Sequence, residues 1–331
     1  MAEPAGGSLG EFGRIARFFR PLAAEYEGAL GLGDDAALVK VPAGQELVVT
    51  TDAIVAGIHF LPTDTPEDIA RKALRVNLSD LAAKGARPMV YFLTLALGRE
   101  VGDRWVERFV AALALDQARF GVALAGGDSV STTGPVWASI TALGLVDSGR
   151  MVRRRGAQPG DLVFVTGTIG DAALGLAVAT GGVDCPAADA AYLLSRYRVP
   201  EPRCDLAATI AAHAHAALDI SDGLAADFGH LCRASGVDGA INADRIPLSP
   251  AASRLVDADP AHRSAILGGG DDYEILFTAC PDSAGALAAA ARSVDIDITP
   301  IGRIGPGGGN AVFLDAAGAP MTIARPGWTH G

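Results

Sequence analysis

The sequence predicts two mixed α/β domains, and three observations carry that expectation. With 331 residues the chain is long enough for two domains of ordinary size, and half of it is apolar, so each can bury a core. Short apolar runs of strand character alternate with helical periodicities through both halves. Around 147–160 this alternation stops for a polar, turn-rich link: Asp147-Ser148-Gly149-Arg150, then Arg153-Arg154-Arg155-Gly156 and Gln158-Pro159-Gly160-Asp161. The link places a first domain over 1–148 and a second over 149–331.

The elements follow in order. Phe12, Ile15, Ala16 and Phe19 recur at helical spacing and predict an amphipathic helix over 8–24, broken by Gly28 to Gly33. Leu47–Thr50 reads as a strand. Thr65 as N-cap, Pro66 at the first helical position, and Glu67 and Asp68 in the first turn open a helix. It runs through Ile69, Ala73, Leu74, Leu78 and Leu81 and stops at Gly85. A strand at Val90–Leu97, a helix over 103–119, and strands at Val122–Ala125 and Val136–Val146 complete the first half. The second restarts with strand Leu162–Thr166 and a helix over Asp171–Ala179. A loop over 181–190 leads to a helix near 203–213. Strand Ala216–Ile220 ends in Ser221-Asp222-Gly223, and a helix begins near Leu224. Strands near Tyr273–Phe277 and Val312–Leu314 flank a helix over 283–292.

The formal charge of −11 argues against a nucleic-acid partner held by phosphate contacts. It leaves room for a phosphorylated substrate, because metal ions supply positive charge locally. The cysteines at 185, 204, 232 and 280 show no Cys-x-x-Cys spacing, so neither a zinc site nor a disulfide framework is indicated, and they fit a reducing cytosol. The first residues lack a basic-then-apolar signal pattern, and the longest apolar segment, Met89 to Leu97, is too short to span a bilayer. A cytoplasmic protein with no membrane partner is expected.

Five acidic, glycine- or threonine-bearing stretches stand out: Gly33-Asp34-Asp35, Thr50-Thr51-Asp52, Gly126-Gly127-Asp128-Ser129, Asp219-Ile220-Ser221-Asp222-Gly223 and Gly269-Gly270-Asp271-Asp272-Tyr273-Glu274. The clearest, at 126–129, follows the apolar run Val122–Ala125, and its glycines are expected to bring that strand to a tight stop. Any one Gly-Asp is more often a turn residue than a ligand, and Asp222 alone would serve as a helix N-cap. Together they repeatedly place carboxylates at the ends of apolar strands, which is what a Mg²⁺ site needs: hard oxygen ligands completed by phosphates and water. Carboxylates crowd together only if cations neutralise them. Neighbours in an extended segment face opposite ways, so one of Asp34/Asp35 and one of Asp271/Asp272 can face a common centre; Asp35 is favoured in the first pair. Asp80 lies late in the 66–84 helix, off its apolar stripe. The stretches are expected to converge on a Mg²⁺–nucleotide site.

No Walker loop, dinucleotide fingerprint or protein-kinase motif set occurs. Phosphates would then be held through Mg²⁺, loop amides and a few cations, of which Arg153, Arg154 and Arg155 are the best clustered; a solvated basic turn explains them equally well. His59, just after the 50–52 stretch, is a candidate phosphate or substrate contact. Trp328 could be a platform for a flat ligand.

At this point the ordered motifs resemble a family. Gly33-Asp-Asp-Ala36, Thr50-Thr-Asp52, Gly57-Ile-His-Phe60, Lys72-Ala-Leu with Val76-Asn-Leu-Ser-Asp-Leu-Ala82, Gly126-Gly-Asp128, Arg154 to Asp161, Thr166-Gly-Thr168, Asp219-Ile-Ser-Asp-Gly-Leu224 and Gly269-Gly-Asp-Asp-Tyr-Glu274 run as they do in thiamine-monophosphate kinases. Those kinases share a superfamily with aminoimidazole ribonucleotide synthetase. The resemblance implies ATP-dependent phosphorylation of thiamine monophosphate to thiamine diphosphate, with several Mg²⁺ ions and no covalent catalytic residue. It implies Asp35, Thr50, Thr51, Asp52, Asp80, Asp128, Asp219 and Asp222 as metal ligands. It implies Gly127, Asp128, Arg154 and Ser221, with Phe120 stacked on adenine, as ATP contacts, and His59, Asp271 and Trp328 as substrate contacts. It also implies a homodimer whose first domains close a β-barrel, and a second domain with a helix-covered mixed sheet that completes the active-site cleft. Family members often carry Glu at the place of Asp271. The alternatives are another ATP-using enzyme of the superfamily with a different acceptor, and a non-catalytic Mg²⁺–ATP-binding regulator.

Overall fold

The structure is a computed structural model that describes residues 9–323 and 327–328. The chain divides into two compact units, Met1–Asn77 with Pro88–Leu145, and Leu78–Arg87 with Val146–Gly331. Each has its own sheet and helices, so the fold is mixed α/β.

In the first unit, helix α1 (Glu11–Arg14) passes into a π-helical turn at Ile15–Phe19 and a 3₁₀ turn at Arg20–Ala23. The sequence pattern predicted one regular helix here. The wider π turn shifts the facing residues: Phe18, Phe19 and Leu22 are buried, whereas Phe12 is 83% exposed. Strand β1 (Gln45–Val55), helix α2 (Pro66–Ala83), strand β2 (Arg87–Gly98), helix α3 (Asp103–Phe120), and strands β3 (Ala123–Thr132) and β4 (Trp137–Asp147) follow. The Thr65 hydroxyl accepts from the Asp68 amide at 3.2 Å and caps α2. Gly121, in the left-handed region at φ 63°, ends α3.

The sheet runs β1-β4-β2-β3, with β2 and β3 parallel and α3 as their crossover. Among the described residues no sheet closes into a barrel. Val106, Phe109 and Leu113 of α3 are fully buried. Arg75 of α2 grips Asp116 of α3 with two bonds of 2.6 and 2.8 Å, both groups buried. Cutting one partner from such a pair costs about 3–5 kcal/mol.

The strands run further than the sequence suggested, and this corrects the expected stop at Gly126-Gly127. β3 continues through Asp128 to Thr132, with Gly126, Gly127 and Asp128 paired to Phe92, Leu93 and Thr94. Glycine serves close approach here: a Cβ on Gly127 would lie 1.9 Å from the Leu93 carbonyl oxygen. Asp52 likewise lies within β1, so these two carboxylates stand within strands and not at their ends.

In the second unit, strand β5 (Leu162–Thr166) is followed by helices α4 (Asp171–Ala179), α5 (Ala187–Arg198) and α6 (Ala207–His213) and strand β6 (Ala214–Asp219). Next come α7 (Leu224–Ser235), β7 (Asp238–Asn242), α8 (Pro250–Ala258), α9 (His262–Gly268), β8 (Ile275–Ala279), α10 (Ala284–Val294), β9 (Ile298–Gly305) and β10 (Ala311–Leu314). The sheet order is β10-β7-β9-β5-β8-β6. Its pairs are antiparallel except β7 with β10, so the sheet is mixed. Alternation along β5 feeds both faces: Val163 and Val165 join a core with Leu174, Phe228 and Leu231, while Phe164 joins Leu206, Ile210 and Leu287 on the other side. The Phe164 and Phe277 rings stack at 5.2 Å.

Candidate active-site residues

The first unit has a pocket of about 780 Å³ that brings together two of the acidic stretches. Its lining includes the apolar Phe12, Ile15, Ala16 and Phe19, residues Leu124–Ser129 of β3, and Gly33–Ala37. Asp35, Gly127 and Asp128 therefore share one cavity. Asp34 Oδ1 accepts from the Asp35 amide at 2.8 Å, which turns the Asp34 carboxylate onto its own backbone.

Thr50, Thr51, Asp52, His59 and Phe120 do not line this pocket. Thr51 and Asp52 are exposed on β1. The Thr141 hydroxyl of β4 donates to Thr51 Oγ1 at 3.0 Å, and the Asp52 amide donates to Asn77 Oδ1 at 3.0 Å. Asn77 is fully buried, and its Nδ2 donates to the Ala73 carbonyl at 3.0 Å, so helix α2 fixes the position of β1 at Asp52. His59 Nδ1 accepts from the Val55 amide at 3.1 Å, which makes Nε2 the protonated nitrogen of the neutral ring. The Phe120 ring has the guanidinium groups of Arg75 and Arg119 at 5.2 and 5.0 Å from its centroid.

The second unit gathers the other candidates around the end of β6. Asp219, its last residue, is buried. Burial first, and then the charge of Asp80, hold its carboxyl well above the usual carboxylate range, against the pull of the Ser79 hydroxyl and Lys84. Lys84 Nζ donates to the Ala217 carbonyl at 2.7 Å; burial lowers its pKa, opposed by Asp219 and Asp80. Beyond β6, the Asp227 carboxylate accepts from the amides of Asp222 and Gly223 at 3.1 and 3.2 Å. Burial and the charge of Asp222 push Asp227 up to about 7, while Arg154 acts against the rise.

The 269–274 stretch is laced to this turn. The amides of Asp271 and Tyr273 donate to the carbonyls of Ser221 and Ile220, each at 2.9 Å. Asp271 and Tyr273 both hold positive φ, 71° and 51°, which non-glycine residues adopt only when their surroundings enforce it. The two aspartates have separate roles. Asp272 is buried and accepts from the amides of Gly170 and Ala172 at 2.7 and 3.2 Å, at the start of α4. Glu274 is buried, bonded to Arg203, Arg196 and the Thr166 hydroxyl. The Trp328 amide donates to the Asp222 carbonyl at 2.9 Å, which places Trp328 against the same turn, with 57% of the residue exposed.

Among the described residues no three His, Cys, Asp or Glu side chains form a ready-made metal site. The donors nevertheless suit Mg²⁺, which takes one or two carboxylates and completes its shell with phosphate and water. The raised carboxyl of Asp219 beside Asp80 is the electrostatic mark of a place where a cation would relieve like-charge repulsion. Sequence reading quoted Asn77 within a motif but gave it no role, and passed over Lys84 and Asp227. Lys84 had a signal, lying four residues after Asp80 and just past the end of α2; Asp227 sits in the first turn of α7, where a carboxylate commonly meets free amides.

The chain matches two family models, the N-terminal domain of AIR synthase related proteins over residues 33–146 and their C-terminal domain over 158–315. It is 44% identical to the thiamine-monophosphate kinase of Caulobacter vibrioides, over all of this chain and 93% of the relative. It is 41% identical to that of Escherichia coli (strain K12), over 98% of both chains. The crystal structure of the thiamine-monophosphate kinase from Stenotrophomonas maltophilia K279a superposes with a TM-score of 0.82 at 42% identity, covering 92% of this chain and 97% of that one. The structure of AaThiL complexed with AMPPCP and TMP superposes at 0.78 with 31% identity, covering 98% and 97%. Identity at this level along the whole length, on the same two-domain fold, means that the chain belongs to the thiamine-monophosphate kinase family.

Proposed function

We propose that the protein phosphorylates thiamine monophosphate with ATP, yielding thiamine diphosphate and ADP. The observation that carries this reading is whole-length similarity to kinases of that name, one of them held with AMPPCP and TMP, joined to the acidic pocket of Asp35, Gly127 and Asp128.

In this reading Gly127, Asp128, Arg154, Ser221 and Phe120 contact ATP, and His59, Asp271 and Trp328 contact the thiamine substrate. Asp35, Thr50, Thr51, Asp52, Asp80, Asp128, Asp219 and Asp222 hold Mg²⁺, which when bound neutralises phosphate charge. The acceptor is already an anionic phosphate oxygen, so no strong general base and no phosphorylated residue is required for direct in-line transfer. The chain's own task is placement. Gly127, with no side chain, lets β3 lie close against β2 and so positions the neighbouring Asp128. Arg154 brings a guanidinium to the Asp222–Asp227 turn, and Nε2 of His59 offers a donor.

The protein acts in the cytoplasm, a reading supported by four cysteines that form no disulfide. It works as a homodimer whose first units close a barrel; exposed Val49, Ile58 and Val130 on the first unit support this. Light scattering behind a sizing column tests the dimer. Chromatographic detection of thiamine diphosphate from thiamine monophosphate, ATP and Mg²⁺ tests the activity. ADP release that ignores thiamine monophosphate, or that needs another acceptor, overturns it.

A further inference from the structure

The three consecutive arginines of the link point to two different places. Residues 150–156 have neither helix nor strand, yet they are pinned. The Val152 amide donates to the Lys84 carbonyl at 3.1 Å, the Ala217 amide to the Arg153 carbonyl at 2.9 Å, and the Gly156 amide to Ser235 Oγ at 3.1 Å. Arg154 acts on Asp227 and Lys84, at the turn described above. Arg153 and Arg155, one residue to either side, line a separate cleft of about 510 Å³ together with Arg150 and His215. The chain bends at Arg154, between the two.

In a chain of net charge −11, no carboxylate among the described residues lines this cleft. Arg150 Nη2 donates to the Ala211 carbonyl at 3.2 Å, which fixes that guanidinium at the end of α6. Buried Asp161 holds His215 by Nδ1 at 2.9 Å, which leaves Nε2 as the ring nitrogen turned from that carboxylate. Among the described residues the guanidinium groups of Arg153 and Arg155 have no carboxylate or carbonyl partner. The wall is also preorganised. Gly156, at φ 130°, passes so close to β6 that a Cβ would lie 2.4 Å from the His215 carbonyl oxygen.

Guanidinium groups without counter-ions on an acid-free, pinned wall suit phosphate oxygens, which accept their paired donors. We propose that this cleft is a second anion site that takes a diphosphate group, free or esterified, apart from the nucleotide and substrate contacts assigned above.

Calorimetry on the full-length protein in EDTA and low salt tests this without reading turnover, so failure of the site and failure of the kinase assignment are separable. Inorganic pyrophosphate and thiamine diphosphate are titrated in parallel. Each is expected to bind about tenfold or more weakly to the Arg153→Gln/Arg155→Gln variant, from the loss of charge-assisted bonds. Ala234→Glu, which adds a carboxylate to the wall and removes no arginine, weakens binding too. Both variants keep the wild-type unfolding temperature. A larger loss for thiamine diphosphate marks an organic diphosphate as the ligand, and an equal loss marks the inorganic ion. Absence of saturable binding to the wild type, or unchanged affinity in the double variant, overturns the site. So does a loss that appears in Arg154→Gln and not in the double variant.

Discussion

The backbone amide of Asp52 donates to Oδ1 of Asn77, so a fully buried helix side chain sets the position of an exposed strand carboxylate. Asn77 spends its other end on the Ala73 carbonyl, which locks the amide plane. Asn77→Ala leaves the Asp52 amide without this acceptor and is expected to cost about 1–3 kcal/mol of stability. It also frees the backbone under Asp52, so the Mg²⁺ needed for half-maximal turnover should rise. Urea unfolding and a Mg²⁺ titration of the rate check the two effects. A variant of unchanged stability and unchanged Mg²⁺ demand refutes the positioning role.

Gly127 is required by β2, not by a turn. A methyl group there meets the Leu93 carbonyl oxygen at 1.9 Å, so Gly127→Ala must part β2 from β3 beside Asp128. The expected result is loss of nucleotide binding and a loss of stability of about 1–3 kcal/mol or more, as at overpacked sites. Gly134→Ala is the control, since its nearest neighbour, Thr132 Oγ1, lies at an ordinary 3.5 Å. Thermal unfolding of both variants should separate them clearly. Equal melting temperatures would contradict the close approach.

How far the sequence disclosed this architecture depends on what each residue answers to. β5 and α4 were legible to the residue, because their periodicity is local and Asp161 and Gly170 mark their starts. α5, α8, α9, β7 and β9 were not. Ala187-Ala188-Asp189-Ala190-Ala191 shows no apolar stripe, and its burial is decided by the helices around it. β3 was cut short at Gly126-Gly127 because glycine reads as a stop locally, whereas pairing with β2 decides the matter. Of the candidate site, the acidic stretches were visible as a recurring pattern. The meeting of Asp219 with Asp80 joins residues far apart in the chain, and no spacing rule announces it, whereas the hold of Asp227 on the 222–223 amides is local to the first turn of α7.

Asp272 makes stability depend on pH in a direction opposite to that of an ordinary ion-paired aspartate. Burial holds its carboxyl well above the usual range in the folded protein. Below about pH 4 both states carry the proton and nothing is lost. As pH rises from there towards the folded value, the unfolded chain ionises freely while the folded chain keeps its proton, so stability falls. Asn does not titrate, but it offers one oxygen where two amides, those of Gly170 and Ala172, are accepted. Asp272→Asn should therefore be less stable than wild type at pH 4, by about 1–2 kcal/mol, and the gap should close as pH rises. Urea unfolding of the pair in EDTA between pH 4 and 8 measures it. A gap that stays constant or widens contradicts the raised carboxyl.

The backbone amide of Trp328 donates to the Asp222 carbonyl, a bond that removal of the indole does not cut. Trp328→Ala is expected to leave stability unchanged, because the residue is mostly exposed. It should raise KM for thiamine monophosphate by about 2–10-fold, the worth of one aromatic stacking contact. KM for ATP should stay as it was. Steady-state kinetics with each substrate varied in turn decides the matter, and a change confined to ATP would move Trp328 to the other substrate.

Asp128 lines the first unit's pocket with Asp35, whereas Asp52 stands on β1 outside its lining. If both carboxylates hold Mg²⁺, the asparagine variants, which keep the shape and lose the charge, should behave alike despite their different surroundings. Asp52→Asn and Asp128→Asn are each expected to lower kcat by at least about a hundredfold at ordinary Mg²⁺, with partial recovery as Mg²⁺ is raised. Neither side chain is buried, so unfolding temperatures should hold, which separates a lost ligand from a lost fold. Near-normal turnover in both variants would reject the metal assignment. A defect in Asp128→Asn alone would confine the metal to the pocket and leave Asp52 as a strand residue held by Asn77.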